Sequence, residues 1–152
     1  SHIGTFGVLG IGVYIAGMLV CIASVDWRFA GLFALTGRTA ALLCGRMFPY
    51  ARENGTGRGF MASVRWGHIA LSAAIYIALA ALLSMDFTSS AFSLKLFIDL
   101  CAPFAVSLTV VSLVTRGISR RLTGITGDVI GFDIEFSQLI YLLGGCLLLR
   151  LW

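Results

Sequence analysis

Charge is scarce in this sequence: 12% of the residues are Asp, Glu, Lys or Arg, against 59% hydrophobic, and the mean hydropathy is +0.96. Soluble domains carry about 25% charged and about 45–50% apolar residues. A chain of 152 residues cannot enclose so much apolar surface in water, so a soluble globular domain is excluded. Lysine is almost missing, with Lys95 alone against ten arginines. No basic run suited to nucleic acid is present. The four cysteines, Cys21, Cys44, Cys101 and Cys146, form no CxxC pair and lie in apolar stretches. They read as small buried hydrophobes rather than metal or redox groups. His2 and His68 have no ligand spacing around them. There is no internal repeat, and Ser1 is followed by no basic leader. The chain reads as the C-terminal part of something longer.

What is abundant is long apolar runs. A helical span needs about 20 mostly apolar residues. Five runs qualify: Thr5–Val25, Phe29–Gly45 with Arg38 inside it, Ile69–Met85, Leu96–Val114 with Asp99 near its start, and Val129–Leu149 with Asp133 and Glu135 in its first turns. The expectation is an all-α, polytopic helical membrane protein, one integral-membrane domain over residues 1–152 with about five transmembrane helices. The second and third runs are short, which predicts tilt or local thinning. Ser84–Ser93 reads as an external turn. With five spans, the segments Arg46–His68 and Thr115–Asp128 share a side. That side holds Arg46, Arg52, Arg58, Arg65, Arg116, Arg120 and Arg121, whereas Arg28, Lys95 and Arg150 lie opposite. The positive-inside rule puts the two segments in the cytoplasm. Trp27, Trp66 and Trp152 fall at span ends, as interfacial anchors do.

Three polar signatures break the apolar pattern: SHIGTFG at Ser1–Gly7, GRTAALLCGRMFPYARENGTGRGF at Gly37–Phe60, and LTGITGDVIGFDIEF at Leu122–Phe136. An intramembrane Arg costs about 2.5–3.5 kcal/mol on insertion scales, so Arg38 is expected to face a partner, Asp99 or Glu135, or a watery cavity. Gly31, Arg38 and Gly45 are spaced seven apart and predict close backbone approach beside the arginine. The Phe48–Phe60 loop combines arginines with Gly55, Gly57 and Gly59. Guanidinium forks fit phosphate oxygens, and glycines let a ligand approach the backbone; a topogenic or lipid-contacting loop is the alternative. Thr126 or Asp128 is placed to cap the last helix, whose N-terminus favours phosphate. At about 100° per residue, Asp128, Gly131, Glu135 and Gln138 fall within about 80° of one face, with Asp133 pointing elsewhere. Such a carboxylate stripe suits Mg²⁺ or the orientation of a nucleophilic hydroxyl; a cap with an ion pair to Arg38, Arg120 or Arg121 is the alternative.

These three segments, in this order, resemble the cobalamin synthase family, the adenosylcobinamide-GDP ribazoletransferases. SHIGTFGVLG is similar to that family's DSR(I/L)GT-G stretch. Tyr50-Ala51-Arg52-Glu53-Asn54-Gly55-Thr56-Gly57 is similar to its YARE-GLG core. LTGITGDVIGFDIEFSQLIYLL is similar to its GG-TGD-LGA-IEL-EL signature. Departures are His2 for Arg, Thr123 for Gly, Ile130 for Leu and Phe132 for a small residue. Members are integral inner-membrane proteins that extend further at the N-terminus, where they carry an Asp-rich motif tied to Mg²⁺ chemistry.

The resemblance implies attack by a hydroxyl of α-ribazole (or its 5′-phosphate) on the cobinamide-linked phosphoryl group of adenosylcobinamide-GDP, with loss of GMP. It implies Mg²⁺ as cofactor and a multi-pass bacterial or archaeal inner-membrane location. It assigns substrate binding to Arg38, Arg46, Tyr50, Arg52, Gly55, Gly57, Arg58, Thr126 and Gly127, and catalysis or metal binding to Asp128 and Glu135. Partners weighed are membrane lipid, a second copy, and other corrinoid-pathway enzymes. The rival readings are a small transporter or channel-like subunit with Arg38, Asp99 and Glu135 as a relay, and an inactive remnant of the synthase.

Overall fold

The computed structural model describes residues 5–51, 57–86 and 91–151. It is a bundle of long helices: α1 Thr5–Ser24, α2 Trp27–Met47, the short α3 Arg58–Ser63, α4 Trp66–Leu83, α5 Leu94–Leu122 and α6 Gly127–Leu151. α1, α4, α5 and α6 are long and apolar enough to cross a membrane. α2 is as long, at 21 residues, and corresponds to the second expected span. It is the least apolar because it lies at the centre, packed against α4, α5 and α6. Its polar Thr36 and Thr39 are therefore buried against protein rather than lipid.

The helices outrun the apolar runs. α5 continues eight residues past Val114 to Leu122 and carries Arg116, Arg120 and Arg121 on its last turns, where a loop was expected. At 29 residues it is about 44 Å long, against a hydrocarbon thickness of about 30 Å. Helical propensity does not end at the bilayer edge, and arginine is a good helix former. The expected turn at Ser84–Ser93 is a small hairpin, β1 Met85–Asp86 pairing antiparallel with β2 Ala91–Phe92.

Close packing holds the centre. A Cβ on Gly145 would lie 2.8 Å from the Phe29 ring, and one on Gly144 would lie 2.9 Å from Pro103. These glycines let α6 sit tightly on α2 and α5, the small-residue device of membrane helices. Pro103 removes a backbone donor inside α5. One residue past the carbonyl it orphans, the Leu100 carbonyl accepts the Tyr76 hydroxyl at 2.8 Å. With that proton committed, Tyr76 accepts from the Tyr141 hydroxyl at 3.0 Å, so α4, α5 and α6 meet at one polar node. Cys21 and Cys44 are buried and Cys101 and Cys146 half-buried, all free.

Candidate active site

The chain from α2 into the second signature ends at Pro49-Tyr50-Ala51, and the turn between α5 and α6 is Thr123–Thr126. These two stretches pair in parallel. Ile125 N–H donates to the Pro49 carbonyl at 2.8 Å, and Ala51 N–H donates to the Ile125 carbonyl at 2.9 Å. The turn is built for this. Thr123 takes the left-handed conformation (φ 57) as α5 ends, and Gly124 follows at φ 149. A Cβ on Gly124 would lie 2.8 Å from the Pro49 carbonyl oxygen and 2.9 Å from Ala51 Cα and N. Glycine is required there both by its conformation and by contact. Beneath the pair, Met61 of α3 and Ile125 and Val129 form a small core that Phe48, Tyr50, Ile118 and Ile130 complete. Signatures two and three are thus one assembly at one end of the bundle. The first four residues of signature one lie outside the described residues, and α1 begins at that same end.

Tyr50 also closes the glycine-rich loop. Its hydroxyl accepts from Gly57 N–H at 3.3 Å, and a Cβ on Gly57 would meet the Tyr50 ring at 3.0 Å. The loop between them, with Arg52 and Gly55, lies outside the described residues. Its two ends are brought together by this contact.

Beside it opens a cleft of about 560 Å³ whose walls include Arg46, Phe48, Tyr50, Arg58 and Met61. Three residues assigned to substrate binding, Arg46, Tyr50 and Arg58, line it together. The Arg46 guanidinium lies 5.5 Å over the Trp66 ring, so Trp66 both anchors the start of α4 and steadies a cleft arginine, a use its position alone did not reveal. The α6 N-terminus is capped by Thr126, whose hydroxyl accepts from Val129 N–H at 3.4 Å. Of the two caps considered, it is Thr126. Gly127 and Asp128 are exposed in the first turn, beside the free N–H groups that favour an anion.

Several expected contacts are corrected. Arg38 pairs with neither Asp99 nor Glu135 among the described residues. It is exposed and lines a second cleft of about 380 Å³ with Ala41, Leu42, Phe60, Ile130 and Ile134. The expected glycine stripe beside it does not form: Gly31 has no neighbour within 4 Å of an added Cβ, and Gly45 faces Met61. Helical spacing gives a face but not what covers it. Ion pairs from α6 to Arg120 or Arg121 are also absent among the described residues. Asp128, Gly131 and Glu135 do share an exposed face, but Gln138 is buried, its amide against Gly37. Glu135 accepts a hydrogen bond from the Tyr14 hydroxyl of α1.

Asp133 is fully buried; Thr115 Oγ1 donates to its Oδ1 at 2.5 Å, and Oδ2 has no partner among the described residues. The signal for Tyr14 was available: it is the one phenol of the uncharged first span, Thr5–Val25. Nothing in the pattern joined Thr115 to Asp133.

A shared metal does not fit the two proposed ligands. Asp128 and Glu135 are two helical turns apart, about 10 Å along the axis. Mg²⁺ holds its ligands at about 2.0–2.1 Å, so one ion cannot take both. No cluster of three or more His, Cys, Asp or Glu suited to a metal occurs among the described residues.

Comparison with known proteins agrees with the geometry. Residues 1–146 match the profile of cobalamin-5-phosphate synthase. The chain belongs to that family. Relatives named adenosylcobinamide-GDP ribazoletransferase include one from Alkaliphilus oremlandii, 30% identical over 97% of this chain and 56% of its own length. Another, from Desulfitobacterium hafniense, is 30% identical over 95% of this chain and 56% of its own length. A third, from Citrobacter koseri, is 27% identical over 94% of this chain and 56% of its own. The chain thus spans about half the length of the curated relatives it matches. No solved structure matches. The paired stretches at Ala51 and Gly124 belong to two of the three segments that carry the resemblance to this family.

Proposed function

We propose that this chain supplies a large part of the site of a cobalamin synthase: an adenosylcobinamide-GDP ribazoletransferase acting late in cobamide assembly. The observation that carries the reading is the backbone pairing of Pro49–Ala51 with Ile125. Through Tyr50 and Met61 it ties a two-arginine cleft to the turn that opens α6, an arrangement that suits a diphosphate.

In this reading Arg46 and Arg58 hold the diphosphate of adenosylcobinamide-GDP; Arg52 and Gly55, assigned to the same task, lie outside the described residues. The α6 N-terminus at Thr126–Gly127 takes a phosphate oxygen. A hydroxyl of α-ribazole, or of its 5′-phosphate, attacks the cobinamide-linked phosphorus. The bond from that phosphorus to the bridging oxygen breaks, and GMP leaves with the oxygen. Asp128, exposed in the first turn of α6, takes the hydroxyl proton, and Glu135 on the same face orients that hydroxyl. Positioning and charge neutralisation account for most of such a rate enhancement. Mg²⁺ belongs to the proposal as a cofactor whose ligands are not the Asp128–Glu135 pair.

The site faces the cytoplasm across an inner membrane in this proposal, because the arginines gather at that end. The test is transfer in proteoliposomes with adenosylcobinamide-GDP, α-ribazole and Mg²⁺, by the protein at its native length. Cobalamin and GMP formed in equal amounts support the reading. Folded protein that yields neither overturns it.

A further inference from the structure

Among the described residues, the α1–α6 interface carries one side-chain hydrogen bond between ionisable oxygens, from Tyr14 to Glu135. The two helices run parallel, and they stay in contact up the interface. An added Cβ on Gly17 would lie 3.9 Å from Leu139 Cδ1, and the Cys146 thiol donates to the Cys21 carbonyl at 3.8 Å. Tyr14 is therefore held at the height of Glu135 by apolar contacts above it. On α6, Glu135 shares its exposed face with Asp128 and Gly131, and Gly131 has open space around it. A glutamate on such a face has three free torsions and no internal restraint. A carboxylate at this depth is costly unless it is partnered. Among the described residues, Tyr14 is the partner shown.

We propose that Tyr14 is a positioning residue: its hydroxyl fixes the Glu135 carboxylate on the open face of α6 and thereby makes α1 part of the site. The catalytic half of this statement rests on the synthase reading above; the structural half does not. A phenol suits the task because it is rigid and amphipathic, and brings a donor into a span without adding charge. Tyr14 touches no substrate in this assignment and acts through Glu135.

The test uses the protein at its native length in detergent and proteoliposomes. First, with the four native cysteines replaced, Tyr14→Cys with Glu135→Cys should be joined by a thiol-to-thiol cross-linker matched to the combined reach of the two lost side chains, and Tyr14→Cys with Gln138→Cys, which faces Gly37 of α2, should not. Failure of the first pair to cross-link overturns the contact. Second, Tyr14→Phe, Glu135→Gln and the double variant are compared for thermal stability and for transfer. Tyr14→Phe should lower kcat about tenfold with KM little changed, the scale of one hydrogen bond to a charged group. In the Glu135→Gln background the same change should cost less than about twofold, because its target has gone. Equal losses in both backgrounds mean that Tyr14 only packs α1, and overturn the positioning role. If wild-type protein shows no transfer, the synthase reading falls. The cross-link and the stability cycle then judge the contact alone, and additive stability losses would refute it.

Discussion

Gly124 and Ala51 touch through backbone alone: a Cβ on Gly124 would lie 2.9 Å from Ala51 Cα. Two signatures that are more than seventy positions apart in sequence are joined at this point. The joint fixes the floor of the arginine cleft, because Tyr50 precedes Ala51 and Ile125 follows Gly124. What holds the site together is therefore a glycine with no side chain to contribute.

Replacing Gly124 should be severe. Gly124→Ala meets strain at φ 149 and overlap with backbone atoms that cannot rotate away. A loss of about 2–4 kcal/mol is expected. Unfolding in mixed micelles measures it, and a change below about 0.5 kcal/mol would mean the two stretches separate at no cost.

Thr123, one residue earlier, should behave in the opposite way. It is a non-glycine residue in the left-handed region, with its side chain exposed. L-residues other than glycine pay about 1–2 kcal/mol there. Thr123→Gly should relieve this strain and stabilise the protein by about 0.5–1 kcal/mol, part of the gain being lost to greater freedom of the unfolded chain. The sequence departure from the family's glycine thus has a physical cost that the same unfolding measurement can read.

Sequence showed the helices well, because a run such as Val129–Leu149 has only one stable solution in lipid. It placed the Tyr50–Gly57 loop and the α6 N-terminus at one end correctly, since alternation of spans dictates it. It could not show that Gly31 faces open space, that Arg38 lines a cleft rather than pairing with an acid, or that Arg116 rides on an extended helix. Those outcomes depend on which neighbour covers a face, and spacing along one helix carries no such information. The Thr115–Asp133 pair was hidden for the same reason: its partners come from two helices, and only packing sets their rotation.

That pair makes a third prediction. Asp133 is buried among α2, α5 and α6 with Thr115 as its donor at 2.5 Å. Thr115→Val keeps the shape and removes the donor. Hydrogen bonds between membrane helices average about 0.6 kcal/mol and reach about 1.7. The upper part of that range is expected, because the second carboxylate oxygen has no partner among the described residues to compensate. Thr115→Ser should retain nearly full stability. If both variants lose equally, methyl packing rather than the hydroxyl is what matters at this position.

The last prediction concerns the cleft arginines. Arg46 and Arg58 line the same 560 Å³ space, yet their supports differ: Arg46 lies over Trp66 at 5.5 Å. If they grip a diphosphate, Arg46→Ala and Arg58→Ala should each lower kcat/KM by about 10–100-fold, as expected for one charge-assisted contact. Arg46→Lys should recover little, because an ammonium neither forks onto two oxygens nor stacks on indole in the same way. Trp66→Leu should then raise KM by about two- to fivefold, on the scale of an exposed cation–π contact, and leave Arg58→Ala unchanged in its effect. Initial rates against adenosylcobinamide-GDP, at low and high salt, measure all four. Binding through these arginines predicts a KM that rises with salt in the wild type and less steeply in each alanine variant. Identical salt slopes would place the diphosphate elsewhere.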